Sequence, residues 1–228
     1  MQMKNRSVEK LVEEPLQKWN HRGKERKKAG IKAGPVITIS REPGCGGAKI
    51  AKHLVQQLDM DLFGGQIIQK VAESVEMSEK VVKSLDEKEM TKRDDWLTAL
   101  FETRHLWPDR YLYHLTKVIG TIGRCGNAVI LGRGANYILP QQHTFRVRFI
   151  APVDVKLANV LRTTPEEAKK YILKTESGRQ AFIRQYFHAD ITDPGHYDMV
   201  INMGKLSTNG AVDAVKAAFL SWKAAANL

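Results

Sequence analysis

The chain has 228 residues and a formal net charge of +11, with 36 Lys and Arg against 25 Asp and Glu. That length is enough to bury a core of one to one and a half domains. No apolar run approaches the ~18 residues of a membrane span, no signal peptide follows the N-terminal Met1, and two cysteines make no disulfide framework, so a cytoplasmic setting is expected.

Residues 1–33 hold ten Lys and Arg against four Asp and Glu and read as a basic extension separate from a globular part over 34–228. Its run from His21 to Lys28 could touch nucleic acid or another anionic partner, although a solvated, partly helical extension explains it better. Gly30, Gly34 and Pro35 mark the break before the first strand, Val36–Ser40. The glycine-rich turn Gly44-Cys45-Gly46-Gly47-Ala48-Lys49 follows, and a helix over 50–58 follows the turn. Strand, glycine turn and helix together suit a phosphate, because backbone N–H groups and the helix N-terminus converge there.

The turn departs from the usual phosphate loop, G-x-x-x-x-G-K-[ST]. With Gly46 at the second glycine, Gly47 stands where lysine belongs, Ala48 where the hydroxyl belongs, and Arg41 at the first glycine. Lys49 comes two positions late. Cys45 reads as a small loop residue, though a helix N-terminus lowers a thiol pKa. After the short apolar piece Leu62-Phe63, helices are predicted over 66–75, 78–85, 92–105 and 109–123.

Strands 127–131 and 145–150 come next, the first ended by Gly132-Arg133-Gly134. Thr164-Pro165-Glu166-Glu167 starts a helix, and a basic helical pair is predicted from about 169 to 186. A strand over 198–202 and a helix over 210–226 finish the chain. Short apolar strands alternating with helices predict an α/β three-layer sandwich around a parallel sheet. Ligands of such sheets lie beyond the carboxyl ends of the strands, where the glycine turn, Arg133 and Ala151-Pro152 all fall. The histidines show no metal-ligand spacing with the cysteines.

The segments Ser40–Gly47, Gly132–Asn136 and Tyr197–Asn202 together resemble the cytidylate kinase-like family, a branch of the P-loop nucleoside monophosphate kinases, over roughly residues 35–220. The resemblance implies a sheet of about five parallel strands, a helical acceptor-binding region at about 64–125 and a lid at about 163–190. It implies phosphoryl transfer from ATP, with Mg2+, to a nucleoside monophosphate or other small acceptor. By position, Ser40, Arg41, Gly44, Cys45, Gly46, Gly47, Ala48 and Lys49 would hold the donor phosphates. Arg133 would meet the acceptor phosphate, Lys174, Arg179 and Arg184 would belong to the lid, and Arg133, Arg179 and Lys49 would carry the catalytic charge. No metal ligand is assigned. Gly134 and Gly64 stand where the family carries Asp, which leaves the acceptor open. The absent lysine and hydroxyl also suit an alternative, a catalytically impaired regulator that binds a nucleotide.

Overall fold

The computed structural model describes residues 21–22, 25, 28, 34–74, 78–79, 110–160 and 164–228. Five strands, β1 (Val36–Arg41), β2 (Asp61–Gly64), β3 (Ala128–Leu131), β4 (Thr144–Ile150) and β5 (Met199–Asn202), form one sheet in the order β2-β3-β1-β4-β5. All four pairings are parallel, with Ile39 beside Leu131 on one flank and beside Val147 on the other.

The helices are α1 (Gly47–Leu58), α2 (Gly65–Glu73), α3 (Arg110–Cys125), α4 (Ala135–Ile138), α5 (Val153–Asn159), α6 (Pro165–Phe187) and α7 (Thr208–Ala225). Alternation along the strands sends Ile37, Ile39, Val147 and Phe149 to one face, where they meet Ile50 and Leu54 of α1 and Val212, Val215 and Phe219 of α7. Val36, Ala128 and Ile130 face the other way, against Ile68 and Val71 of α2 and Leu112, Leu115 and Ile119 of α3. Both faces are therefore covered, which is why the strands read as apolar runs. The expected three-layer architecture with five parallel strands is present.

Two local expectations are corrected. Leu62-Phe63 is the centre of an edge strand, β2, whose four residues are too few for a periodic signal. The basic helical pair is one unbroken helix of 23 residues, α6. The Thr164 hydroxyl accepts the Glu167 N–H, Pro165 fills the first turn, and Gly178 in the middle does not interrupt it. The helices expected over 78–85 and 92–105 lie outside the described residues, apart from 78–79. Of the basic extension, Arg22 donates from Nη1 to Asp61 Oδ1, at the start of β2, at 2.7 Å and also pairs with Asp59, which caps the C-terminus of α1. Among the described residues no helix is long and apolar enough to cross a membrane.

The chain leaves β1 toward one side of the sheet and β4 toward the other. A crevice opens beyond the carboxyl ends of such strands. The loops after β1, β3 and β4 border it.

Candidate functional site

The glycine turn is held from below by a buried polar cluster. Glu42 follows β1, with its N–H on Phe149 O at 3.0 Å. Its Oε2 accepts from Lys156 Nζ at 2.7 Å and from the Ala151 N–H at 3.1 Å, and its Oε1 lies 3.9 Å from Arg148 Nη2. Lys156 also lies 3.6 Å from Glu176 of α6. Lys156 and Arg148 are 7% and 4% exposed, so their charges depend on these carboxylates. A side chain at Gly44 would come within 2.6 Å of Lys156 O, and Asn159 Nδ2 donates to Gly44 O at 2.9 Å. Helix α5 therefore cradles the turn.

Helix α1 begins without a side-chain cap; Gly46, at φ 82°, occupies that position. The Lys49 and Ile50 N–H groups return to Gly46 O. Of the N–H groups ahead of them, that of Cys45 donates to Glu42 O at 3.5 Å and that of Gly47 to the Cys45 sulfur, and the rest are the ones a helix start leaves for an anion.

Three guanidinium groups converge on this turn. Arg41 reaches from one loop to another. A Cβ added at Gly47 would lie 2.9 Å from Arg41 Cβ, and one added at Gly132 would meet the Arg41 guanidinium. Arg179 crosses from α6 and donates from Nη1 to Arg41 O at 2.6 Å. Arg133 follows β3 with φ 59° between Gly132 at 84° and Gly134 at 68°, a left-handed run that strains a residue bearing a side chain. It donates from Nε to Gly65 O at 3.1 Å and from Nη2 to Gln69 Oε1.

All of these acceptors are uncharged oxygens. Among the described residues none of the three arginines forms an ion pair. Burial first, then the nearby Arg179, pulls the Arg41 guanidinium down to about 10; Cys45 opposes the fall, Arg133 adds to it and Tyr171 opposes it. Burial also lowers Arg179, with Arg133 adding to the fall. Such a cluster is completed by an anion from outside.

The other residues singled out in the sequence are placed differently. Ser40 is buried on β1; its hydroxyl accepts from Arg148 Nη1 at 3.0 Å and lies 3.4 Å from the Tyr197 hydroxyl. Cys45 is 2% exposed, and burial, with Glu42 assisting, pushes its thiol up despite the Gly47 N–H. Ala48 and Lys49 are exposed on the first turn of α1. Lys174 and Arg184 are exposed on α6, five residues either side of Arg179, and turn away from it.

Magnesium finds little on the loop. Position 48 offers no hydroxyl, and that of Ser40 is taken by Arg148. Glu42, the carboxylate beside the turn, is held by Lys156 and the Ala151 N–H. Among the described residues no three His, Cys, Asp or Glu gather as a metal cluster. The loop therefore fits a polyanion and does not fit a protein-held magnesium ion. Gly134 has no room for the family's Asp either, because a Cβ there would run into the Phe187 ring. Gly64 has open space around it.

Sequence reasoning missed Lys156 and Arg148, and used Glu42 and Tyr197 only as parts of motifs. One signal for them was available. Arg146 and Arg148 alternate with apolar residues in a strand whose two faces are both covered, and a charge there needs a buried partner.

An uncharacterised protein of Eubacterium ventriosum has a similar fold, with 21% identity and a TM-score of 0.64 over 82% of this chain and 98% of that one. The shikimate kinase of Bacteroides thetaiotaomicron also matches, with 13% identity and a TM-score of 0.45 over 81% of this chain and 98% of its own. That of Acinetobacter baumannii, in complex with shikimate, has 13% identity and a TM-score of 0.44 over 85% and 97%. No curated protein matches the chain. The sequence profile of the cytidylate kinase-like family matches residues 36–205.

Proposed function

The chain belongs to the cytidylate kinase-like family, and we propose that it is a phosphotransferase that takes ATP as donor and a small acceptor, a nucleoside monophosphate first among the candidates. The observation that carries this reading is the convergence of Arg41, Arg133 and Arg179 on the glycine turn. Phosphoryl transfer asks little covalent chemistry of a protein; it asks for alignment and for positive charge around the moving group. In this reading the amides between Gly44 and Lys49 and the Arg41 guanidinium hold the donor phosphates. Arg133 faces α2, where it already grips Gly65 O and Gln69, and orients the acceptor. Arg179 links α6 to the loop through Arg41 O, so movement of α6 would open or close the site. Planar guanidinium groups suit phosphate oxygens in pairs, which a lysine does not match.

A second reading has its own support. Gly47 cannot carry a side chain while Arg41 packs against it, so the lysine of ordinary phosphate loops has no place here. That favours a nucleotide-binding regulator that does not turn over.

The full chain is incubated with ATP and a panel of nucleoside monophosphates, with and without magnesium, and products are separated by ion-exchange chromatography. Transfer of the terminal phosphate to at least one acceptor is expected. ATP binding without transfer to any acceptor favours the regulator, and no binding at all defeats both.

A further inference from the structure

We infer that Arg41 takes the place of the missing loop lysine, and that the site accepts a nucleotide's polyphosphate as the free anion, with no divalent cation required for binding. The inference rests on the nucleotide-binding reading above and adds the ionic form of the ligand.

Four observations lead to it. First, the exchange of lysine for glycine at position 47 and the presence of arginine at position 41 are one arrangement. The Cβ of Arg41 lies 2.9 Å, and its Cγ 3.3 Å, from where a Cβ of residue 47 would be. Real Cβ atoms do not approach so closely, so the cation comes from the end of β1 or from residue 47, not from both. Second, the Arg41 stem runs past Gly47 and its guanidinium rests on Gly132. This side chain spans the crevice between the loops after β1 and β3, where the phosphates would lie. Third, the hydrogen bonds of Arg133 and Arg179 go to Gly65 O, Gln69 and Arg41 O, none of them charged. The positive charge of the trio is left for the ligand to neutralise.

Fourth, among the described residues the groups beside the loop that would hold a divalent cation are missing or occupied. Ala48 has no hydroxyl, Ser40 accepts from Arg148, and Glu42 is held by Lys156 and the Ala151 N–H. A cation on the nucleotide would also face three guanidinium groups. The magnesium complex carries about two fewer negative charges than the free nucleotide, so the cluster attracts it less. Arginine here does what lysine and magnesium share in ordinary phosphate loops.

The test is isothermal titration calorimetry of the full chain with ADP, in EDTA and in saturating magnesium at matched ionic strength. Binding in EDTA is expected, weakened about threefold or more by magnesium, because the ligand loses charge. Arg41→Ala should weaken ADP binding in EDTA by about tenfold or more, as loss of a charge-assisted hydrogen bond implies. Circular dichroism and the melting temperature of the variant establish that it is folded, and Arg41→Lys, which keeps the charge, should retain part of the affinity. Binding only when magnesium is present overturns the inference and leaves the nucleotide reading standing. Unchanged affinity in folded Arg41→Ala also overturns it. No heat under either condition removes the nucleotide reading itself.

Discussion

Replacing Glu42 with Gln tests how the glycine turn is supported. The carboxylate is 14% exposed in its side chain and meets Lys156 Nζ at 2.7 Å, with the Arg148 guanidinium at 3.9 Å. Lys156 and Arg148 have side chains only 9% and 5% exposed, so they cannot turn to water when the negative charge goes. Breaking a buried pair by removing one partner costs about 3–5 kcal/mol. Two features reduce that figure: Gln still offers an oxygen to the Ala151 N–H, and Glu176 stays 3.6 Å from Lys156. We expect Glu42→Gln to lose about 2–3 kcal/mol, or roughly 4–12 °C in melting temperature for a domain of this size. Urea unfolding followed by circular dichroism measures the loss. In the double variant Glu42→Gln/Lys156→Met the stranded cation is also gone, so the two changes should be less than additive by about 1 kcal/mol or more. A loss below about 0.5 kcal/mol in the single variant, together with strict additivity in the double, would refute the reasoning.

Burial first, and then two neighbouring guanidinium groups, disfavour the charge of Arg41 and pull its pKa down to about 10. Its protonated form is the one that attracts phosphate, so affinity is retained below that value and falls as pH rises through it. Tripolyphosphate binding should weaken about fourfold between pH 8 and pH 10.5 on this account, and the fall should be much smaller in Arg41→Ala. A flat profile in the parent protein contradicts the assignment. The Cys45 thiol is pushed up by burial and is 2% exposed. It should resist iodoacetamide at neutral pH until guanidinium chloride unfolds the chain; alkylation of the native protein at the rate of a free thiol argues against the burial described. Gly134→Ala places a Cβ against the Phe187 ring, 2.7 Å from its Cζ, at a φ of 68°. Left-handed strain and overpacking together should destabilise by about 2–4 kcal/mol in thermal or urea unfolding, and a neutral outcome would mean α6 does not pack there.

The layers of the fold were readable because their cause is local. Val36–Ser40 and 127–131 are largely apolar runs of strand length, 145–150 alternates apolar residues with Arg146 and Arg148, and a glycine or proline break comes soon after each. The glycine turn and Arg133 could be assigned to one end of the sheet from strand direction alone. Long-range partnership was not readable. Glu42 and Lys156 are more than a hundred residues apart in sequence, and nothing local marks them as a pair. Strand β2 is too short to carry a pattern.

The residues expected to form a lid show the limit most clearly. Lys174, Arg179 and Arg184 form a basic set in sequence, yet helical geometry turns successive members by about 140°. Only Arg179 shares a stripe with the buried Ile172 and Ile183, seven residues before it and four after it. That spacing was present in the sequence and would have singled it out. Lys49 is the converse case. Its position just after the loop suggested a substitute cation, whereas the first turn of α1 carries it into solvent and Arg41 occupies the crevice.

Two-dimensional NMR of the labelled full chain during an ADP titration addresses the site most directly. The largest shifts should fall on the backbone amides of residues 44–49 and on the Nε resonances of Arg41, Arg133 and Arg179, saturating together. Shifts confined to other surfaces, or amides 44–49 that stay in place while ADP binds elsewhere, would contradict a phosphate seated in the glycine turn.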